Sequence, residues 1–119
     1  MRLNLGCGSV KFQGYINCDY PKNFYHVLPD VACDIRTLPF RDNCIERIEA
    51  IHCFEHFHFS EALTTLQEWK RVLISGGILV MEMPDLYKII AHIQSKKAPI
   101  EWTLGGLYVD CLKPQYPEQ

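Results

Sequence analysis

Two glycines follow the first apolar run of the chain, and an acid ends the next apolar run shortly afterwards. The glycines are Gly6 and Gly8, and the acid is Asp19, in the segment RLNLGCGSVKFQGYINCD. Glycines after a buried strand let a ligand approach the backbone and leave amide groups free to point at it. An acid after the second strand is typical of a ribose contact. The two glycines alone fit a plain glycine turn equally well.

The short interval between Gly8 and Asp19 excludes one class of nucleotide site. A dinucleotide-binding dehydrogenase has about 20 residues between the glycine loop and the acid, because a complete helix lies there. The N-terminus of that helix binds the pyrophosphate. Residues 9–15 are too few to form such a helix. The segment therefore indicates a ligand without phosphate groups.

Apolar runs and turn residues predict five short strands and two helices. The strands are expected at Leu3–Gly6, Tyr15–Asp19, Val31–Asp34, Ile45–Ile51 and Ile78–Met83. The first helix is expected to have Ser60 as its N-cap and to stop at Gly76-Gly77. A second helix is expected from Asp85 to about Ser95. Strands that alternate with helices predict a mostly parallel sheet in an α/β domain.

The length of 119 residues predicts one domain. We expect residues 1–95 to form its α/β core and residues 96–119 to form an irregular tail of the same domain. No apolar stretch is long enough to cross a bilayer, and the first residues lack the apolar segment of a signal peptide. We therefore expect a cytoplasmic protein without membrane contact.

Charge and cysteine content narrow the classes of partner. The net charge is −2 and no run of lysines or arginines is present, which argues against a dedicated nucleic-acid binder. The six cysteines include no CxxC pair, so the spacing of a zinc ribbon is absent. We expect reduced and mostly buried thiols.

Five segments, taken in order, resemble the class I S-adenosylmethionine-dependent methyltransferases of the methyltransferase type 11 kind. They are LNLGCG, YINCD, CDIRTLPFRDN, IEAIHCFEHF and EWKRVLISGGILVMEMPD, which together cover about residues 2–85. The resemblance implies a Rossmann-like, mostly parallel sheet of about five strands in the order 3-2-1-4-5. It also implies S-adenosylmethionine as the cofactor and methyl transfer to an acceptor, which we expect to be a small molecule.

The resemblance also implies which residues hold the cofactor. They are Asn4, Gly6, Cys7, Gly8, Asp19, Asp34, Ile35 and His52. The glycine turn would lie beside the methionine moiety, Asp19 would hold the ribose, and Asp34 with the backbone of Ile35 would border the adenine. Asn4 stands where the family often has an acid, so one negative charge near the ligand ammonium is missing. The third glycine of the family's loop is also absent.

Residues 52–58, with the sequence HCFEHFH, allow three interpretations. A metal site is the least favoured, because the order differs from the H-E-x-x-H of zinc proteases; no metal is expected. The histidines could instead cap or hydrogen-bond a strand-to-helix turn. By the resemblance His52 would lie near the sulfonium, so His52 or His56 could accept a proton from the acceptor, with Glu55 on the substrate side. Asp85 is either a helix N-cap or a second substrate-side residue.

The expected cover of the sheet predicts self-association. Parallel sheets are normally covered on both faces, and by the family layout the two expected helices cover one of them. Residues 9–15 and 20–31 would cover the other face thinly, so helix cover there is reduced. The fifth strand would be an open edge. We therefore expect a homo-oligomer, most simply a dimer, unless the tail from Trp102 covers that edge.

Two functional hypotheses follow from the resemblance. The N-terminal helices and the last two strands of the family have no clear counterpart, so the chain resembles a methyltransferase shortened at both ends. The first hypothesis is a compact methyltransferase whose site is completed by a partner subunit. The alternative is a non-catalytic or accessory module that acts through self-association or through a partner.

Overall fold

The computed structural model describes residues 1–21 and 27–95. Their elements are β1 (Arg2–Leu5), β2 (Ile16–Asp19), β3 (Val31–Ala32), β4 (Ile45–Ile51), a 3₁₀ turn (Phe54–His56), α1 (Phe59–Val72), β5 (Leu73–Glu82) and α2 (Leu86–Ser95). The fold divides after Glu82 into two compact units, and α2 belongs to the second, which begins at Met83. The expected tail from residue 96 lies outside the described residues. That residues 1–95 form one core stays a prediction.

The five strands form one parallel sheet in the order β3-β2-β1-β4-β5. This order confirms the predicted fold class. The change of direction in the strand order lies between β1 and β4, and ligands of open α/β sheets bind at the carboxyl ends of strands at such a point. The turn after β1 and the segment after β4 lie at this point of the sheet.

One face of the sheet is apolar and carries the core. Its buried residues on the three central strands are Leu3, Leu5, Cys18, Ile48 and Ala50. Trp69 and Val72 of α1 pack into the same buried cluster and have no exposed surface. The side of α1 that carries these two residues therefore covers the sheet.

The opposite face is polar at its centre. Asn4 and Asn17 are register partners on β1 and β2, both are buried, and Asn4 Nδ2 donates to Asn17 Oδ1 over 2.9 Å. Asn17 Oδ1 also accepts from the Phe12 amide at 2.7 Å, which holds the segment after β1 across this face. Residues 9–15 form no helix, as predicted. Residues 9–15 therefore cover this face as a loop, and part of residues 20–31 lies outside the described ranges.

Both ends of α1 differ from the sequence prediction. The N-cap is His58, whose ring accepts from the Ser60 amide, and not Ser60 itself. The helix ends at Val72 and β5 begins at Leu73 without a loop, so Gly76-Gly77 does not stop the helix.

The early start of β5 has a visible geometric reason. Leu73 already has extended backbone angles and pairs with Ile45, after which the register moves to Arg47 opposite Ile78. The extra residues of β5 form a bulge, with Gly76 at a φ of 77°. The glycine pair therefore lies in an irregular strand. Glycine is common both in such strands and at helix ends, so the amino-acid composition alone does not distinguish the two.

Two expectations about surroundings stay open. β5 is an edge strand of the described sheet, but the expected homo-oligomer stays a prediction. Within residues 1–21 and 27–95, no helix has the length and apolar content needed to cross a membrane.

Candidate functional site

The turn after β1 requires glycine at its first position. Gly6 has a φ of 65° and Gly8 a φ of 52°, in the left-handed region that side chains rarely adopt. A Cβ atom on Gly6 would lie 2.7 Å from the Cβ of Cys53, the second residue after β4. The glycine turn and the segment after β4 are therefore in direct contact at the carboxyl edge of the sheet.

The amides of the glycine turn are used within the protein. The Gly6 and Cys7 amides both donate to the Cys18 carbonyl, at 2.9 and 3.2 Å. The Gly8 amide donates to Asp19 Oδ2 at 2.7 Å. The expectation that the glycines leave amides free for a ligand is therefore wrong. The short connection brings the end of β2 directly against the turn, which leaves no amide cradle for a phosphate and agrees with the exclusion of a dinucleotide.

Asp19 is held in a fixed orientation by backbone amides. Its Oδ2 accepts from Gly8 and its Oδ1 accepts from the Tyr20 amide, each at 2.7 Å. An ionised carboxylate offers about four lone-pair sites, so each oxygen retains capacity for one further donor. The carboxylate at this edge can thus accept from a pair of neighbouring hydroxyl groups.

Asp34 and Ile35, after β3, are positioned by residues that the sequence analysis did not single out for this role. Arg36 donates to Asp34 through Nε and NH2, and its guanidinium lowers the pKa of that carboxyl. The Trp69 indole donates to the Ile35 carbonyl at 2.8 Å. A Cβ on Gly6 would lie 3.7 Å from Ile35 Cδ1, so this segment borders the glycine turn. A buried tryptophan needs an acceptor for its N–H. This need is the sequence signal that could have predicted a hydrogen bond from Trp69.

His52 lies between two carboxylates at the end of β4. Its Nδ1 is 3.4 Å from Glu55 Oε1 and its Nε2 is 3.4 Å from Glu82 Oε1. The side chain is 55% exposed, so a ligand can reach it. His52 has a φ of 50°, a conformation that costs about 1–3 kcal/mol and is concentrated at functional sites.

The other two histidines of this segment have different positions. His58 caps α1, which supports the structural interpretation for that residue. His56 is exposed at the end of the 3₁₀ turn, where its amide donates to the Cys53 carbonyl. Among the residues that the structure describes, no three or more His, Cys, Asp or Glu side chains are placed together to hold a metal ion.

Two predicted residues remain, Asn4 and Asp85. The Asn4 amide donates to the Val10 carbonyl and to Asn17 on the polar face of the sheet. Asp85 belongs to the unit that begins at Met83, where its Oδ1 accepts from the Lys88 amide. The N-cap interpretation of Asp85 is therefore confirmed, and its role beside a substrate stays a prediction.

Two thiols at the site are strongly disfavoured as thiolates. Burial, with Asp19 nearby, raises the pKa of Cys7 to about 11. Burial, with Glu55 and Asp19 nearby, raises the pKa of Cys53 to about 12. Cys7 lies within the glycine turn and Cys53 packs against it, both as small buried groups. Neither is suited to act as a nucleophile at neutral pH.

We expect Cys33 to react with iodoacetamide before Cys7 and Cys53. The interaction with the neighbouring Cys18 thiol lowers the pKa of Cys33. Cys7 and Cys53 should react at least about tenfold more slowly at pH 7.4, because little thiolate is present. Peptide mass spectrometry over a time course measures the order, with the denatured chain as control. Labelling of Cys7 or Cys53 at the rate of Cys33 would contradict this account.

A family model described as a methyltransferase domain matches residues 3–81, which include all five strands nearly to their ends. The chain belongs to this family. The match confirms the resemblance on which the sequence analysis relied. The glycine turn of this methyltransferase domain, the end of β2 and the segment after β4 all lie within the matched residues.

Curated relatives and solved structures agree with the assignment. Over 111 residues the methyltransferase domain is 24% identical to the probable tRNA methyltransferase 9B of Homo sapiens and also to that of Bos taurus. The alignment covers 83% of the chain and 24% of the length of each relative. The chain thus spans about a quarter of these relatives.

Two crystal structures share the fold. One is the PH0226 protein of Pyrococcus horikoshii OT3, with a TM-score of 0.63 and 20% identity, covering 79% of this chain and 53% of that one. The other is a SAM-dependent methyltransferase from Aquifex aeolicus, with a TM-score of 0.52 and 18% identity, covering 93% of this chain and 70% of that one. At these identities the likeness concerns the fold.

Proposed function

We propose that this methyltransferase domain binds S-adenosylmethionine and transfers its methyl group to a small-molecule acceptor. The observation that carries the proposal is the Asp19 carboxylate, fixed by the Gly8 and Tyr20 amides at the carboxyl edge of the sheet. The remaining lone pairs of this carboxylate can accept from two vicinal ribose hydroxyls. The Gly6, Cys7 and Gly8 amides are used within the protein and are not offered to a phosphate. Membership of the methyltransferase family supports the same ligand.

Different segments of the chain would contact different parts of the ligand. Asp34 and Ile35, held by Arg36 and Trp69, would border the adenine ring. The glycine turn at Gly6 would lie beside the methionine moiety. Because these groups are already hydrogen-bonded within the protein, little reorganisation is needed when the ligand binds.

S-adenosylmethionine supplies an electrophilic methyl group that an acceptor oxygen or nitrogen attacks in line. The protein must then hold the acceptor close to that carbon and exclude water, which supplies much of the acceleration. His52 is the group placed to take the proton that the acceptor loses. Glu55 and Glu82, 3.4 Å from its two ring nitrogens, keep the ring in place.

A small acceptor fits the charge of the chain better than a polynucleotide. The curated relatives are named as probable tRNA methyltransferases, but the chain corresponds to about a quarter of their length. The net charge of −2 and the absence of a basic run in the sequence provide no electrostatic footprint for a phosphate backbone.

Calorimetric titration with S-adenosylmethionine and S-adenosylhomocysteine tests the proposal. Asp19→Asn should weaken both ligands by at least about tenfold, because charge-assisted hydrogen bonds to the ribose are lost. Asp42→Asn is the matched control, since Asp42 is 67% exposed and pairs with Arg71. Absence of heat from the wild-type chain at millimolar ligand would contradict binding. Equal affinities of wild type and Asp19→Asn would contradict the role of Asp19.

Catalysis is tested separately from binding. With the cofactor bound, a panel of hydroxyl- and amine-bearing small molecules should include one that gains 14 mass units while S-adenosylhomocysteine forms. Tight cofactor binding without turnover on the panel would favour the accessory-module alternative over an enzyme.

A further inference from the structure

One carboxylate oxygen of Glu55 has no hydrogen-bond donor among residues 1–21 and 27–95. Its Oε1 lies 3.4 Å from His52 Nδ1, whereas Oε2 is buried and has no partner in the described part of the chain. The side chain is only 16% exposed. A buried carboxylate oxygen without a donor is unfavourable, and in native structures such a group requires a specific explanation.

The position of Glu55 links this oxygen to the glycine turn. Glu55 lies in the 3₁₀ turn, two residues after Cys53, and Cys53 is in contact with Gly6. The charges of Glu55 and Asp19 both act on the Cys53 thiol and raise its pKa. Both carboxylates are therefore close enough to act on the thiol that packs against Gly6.

Glu55 differs from the neighbouring acids in the hydrogen bonds that its carboxylate oxygens accept. Both oxygens of Asp19 accept from backbone amides. Both oxygens of Asp34 accept from Arg36. Asn4, on β1 just before the turn, is uncharged and its amide is bound on the polar face of the sheet. Of these three acids, Glu55 is the one whose second oxygen has no donor in the described part of the chain.

We propose that Glu55 binds the positively charged amino-acid end of the cofactor, with the ammonium group as the missing donor. This inference rests on the proposed function, since it names a residue of the same site. The terminal torsion of a glutamate is broad, so the carboxylate can turn Oε2 toward a ligand without a change of the backbone. A carboxylate after β4 thereby supplies the negative charge that the chain lacks at Asn4.

A series of three ligands separates the parts of the cofactor. S-adenosylmethionine has an ammonium and a sulfonium, S-adenosylhomocysteine has the ammonium alone, and 5′-methylthioadenosine has neither. Glu55→Gln should weaken the first two by at least about tenfold, because a charge-assisted hydrogen bond becomes a neutral one. The affinity for 5′-methylthioadenosine should be unchanged, and calorimetry measures all three.

Glu46→Gln is the matched control. Glu46 lies at the opposite end of β4, is 59% exposed and pairs with the N-terminal amine, so the three affinities should not change. Thermal unfolding without ligand checks that each variant is folded. Should Glu55→Gln fail to fold, Glu55→Asp keeps the charge on a shorter side chain, and it should reduce affinity for S-adenosylhomocysteine but not for 5′-methylthioadenosine.

Three results would overturn the assignment. Equal weakening of all three ligands would indicate a purely structural role, and weakening of S-adenosylmethionine alone would place Glu55 at the sulfonium. Unchanged affinities would remove Glu55 from the site. Failure of the wild-type chain to bind any of the ligands has a different meaning, because it would overturn the proposed function itself.

Discussion

Replacing Trp69 with alanine should lower the free energy of unfolding by about 3–5 kcal/mol, the range for removal of a large buried aromatic ring. Trp69 has no exposed surface, and its ring packs edge-on against Phe54 and Phe57 at centroid distances of 5.6 and 6.2 Å. It belongs to the same buried cluster as the apolar face of the sheet. Urea denaturation followed by circular dichroism measures the loss.

A second substitution separates packing from hydrogen bonding. Trp69→Phe retains most of the ring contacts but leaves the Ile35 carbonyl without its donor, which should cost about 1–3 kcal/mol. Leu63→Ala on the same helix is the control, since Leu63 is 66% exposed and should change stability by less than about 0.5 kcal/mol. A Trp69→Ala variant as stable as the Leu63→Ala variant would refute the packing described here.

Replacing Gly6 with alanine should destabilise the fold by about 2–5 kcal/mol and abolish measurable cofactor binding. The left-handed backbone costs a side-chain residue about 1–2 kcal/mol. The new Cβ would also lie 2.7 Å from the Cβ of Cys53, so the segment after β4 must move, at a further cost of about 1–3 kcal/mol. Denaturation and ligand titration of the same preparation measure both effects.

Gly14→Ala provides the comparison for Gly6→Ala. Gly14 has a φ of 79°, and a Cβ there would meet nothing within 4 Å. Its substitution should therefore show the conformational cost alone, with cofactor affinity retained. If the two variants lose the same free energy of unfolding, the close contact between the glycine turn and Cys53 adds nothing to the cost of Gly6→Ala.

The central strands were the part of the fold best determined by sequence. The prediction for β4 matches the observed Ile45–Ile51, because apolar residues recur from one end of this segment to the other and turn residues precede it. The strand order came from the resemblance and is confirmed. The ends of α1 were not predictable in the same way, since His58 is an unusual N-cap and Gly76 has the left-handed φ of a bulge. Local composition does not distinguish these uses from a serine cap and a glycine stop.

At the site, sequence identified residue types but not their hydrogen bonds. The glycines and Asp19 were found from their spacing, yet the bond from the Gly8 amide to Asp19 depends on how closely β2 approaches the turn. The support of Ile35 by Trp69 joins residues 34 positions apart and appears only when α1 lies on the sheet. Roles that depend on long-range packing of this kind require the three-dimensional structure.

The paired asparagines beneath the glycine turn have a consequence for how the strands find their alignment. A shift of β2 along β1 by two residues would keep every side chain on its own face, so apolar patterning alone would not oppose it. Such a shift would separate Asn4 from Asn17, and their two buried side-chain amides would lose the hydrogen bond between them. The hydrogen-bonded pair therefore favours one register of β1 and β2. That register determines how far Asp19 extends beyond the end of β1.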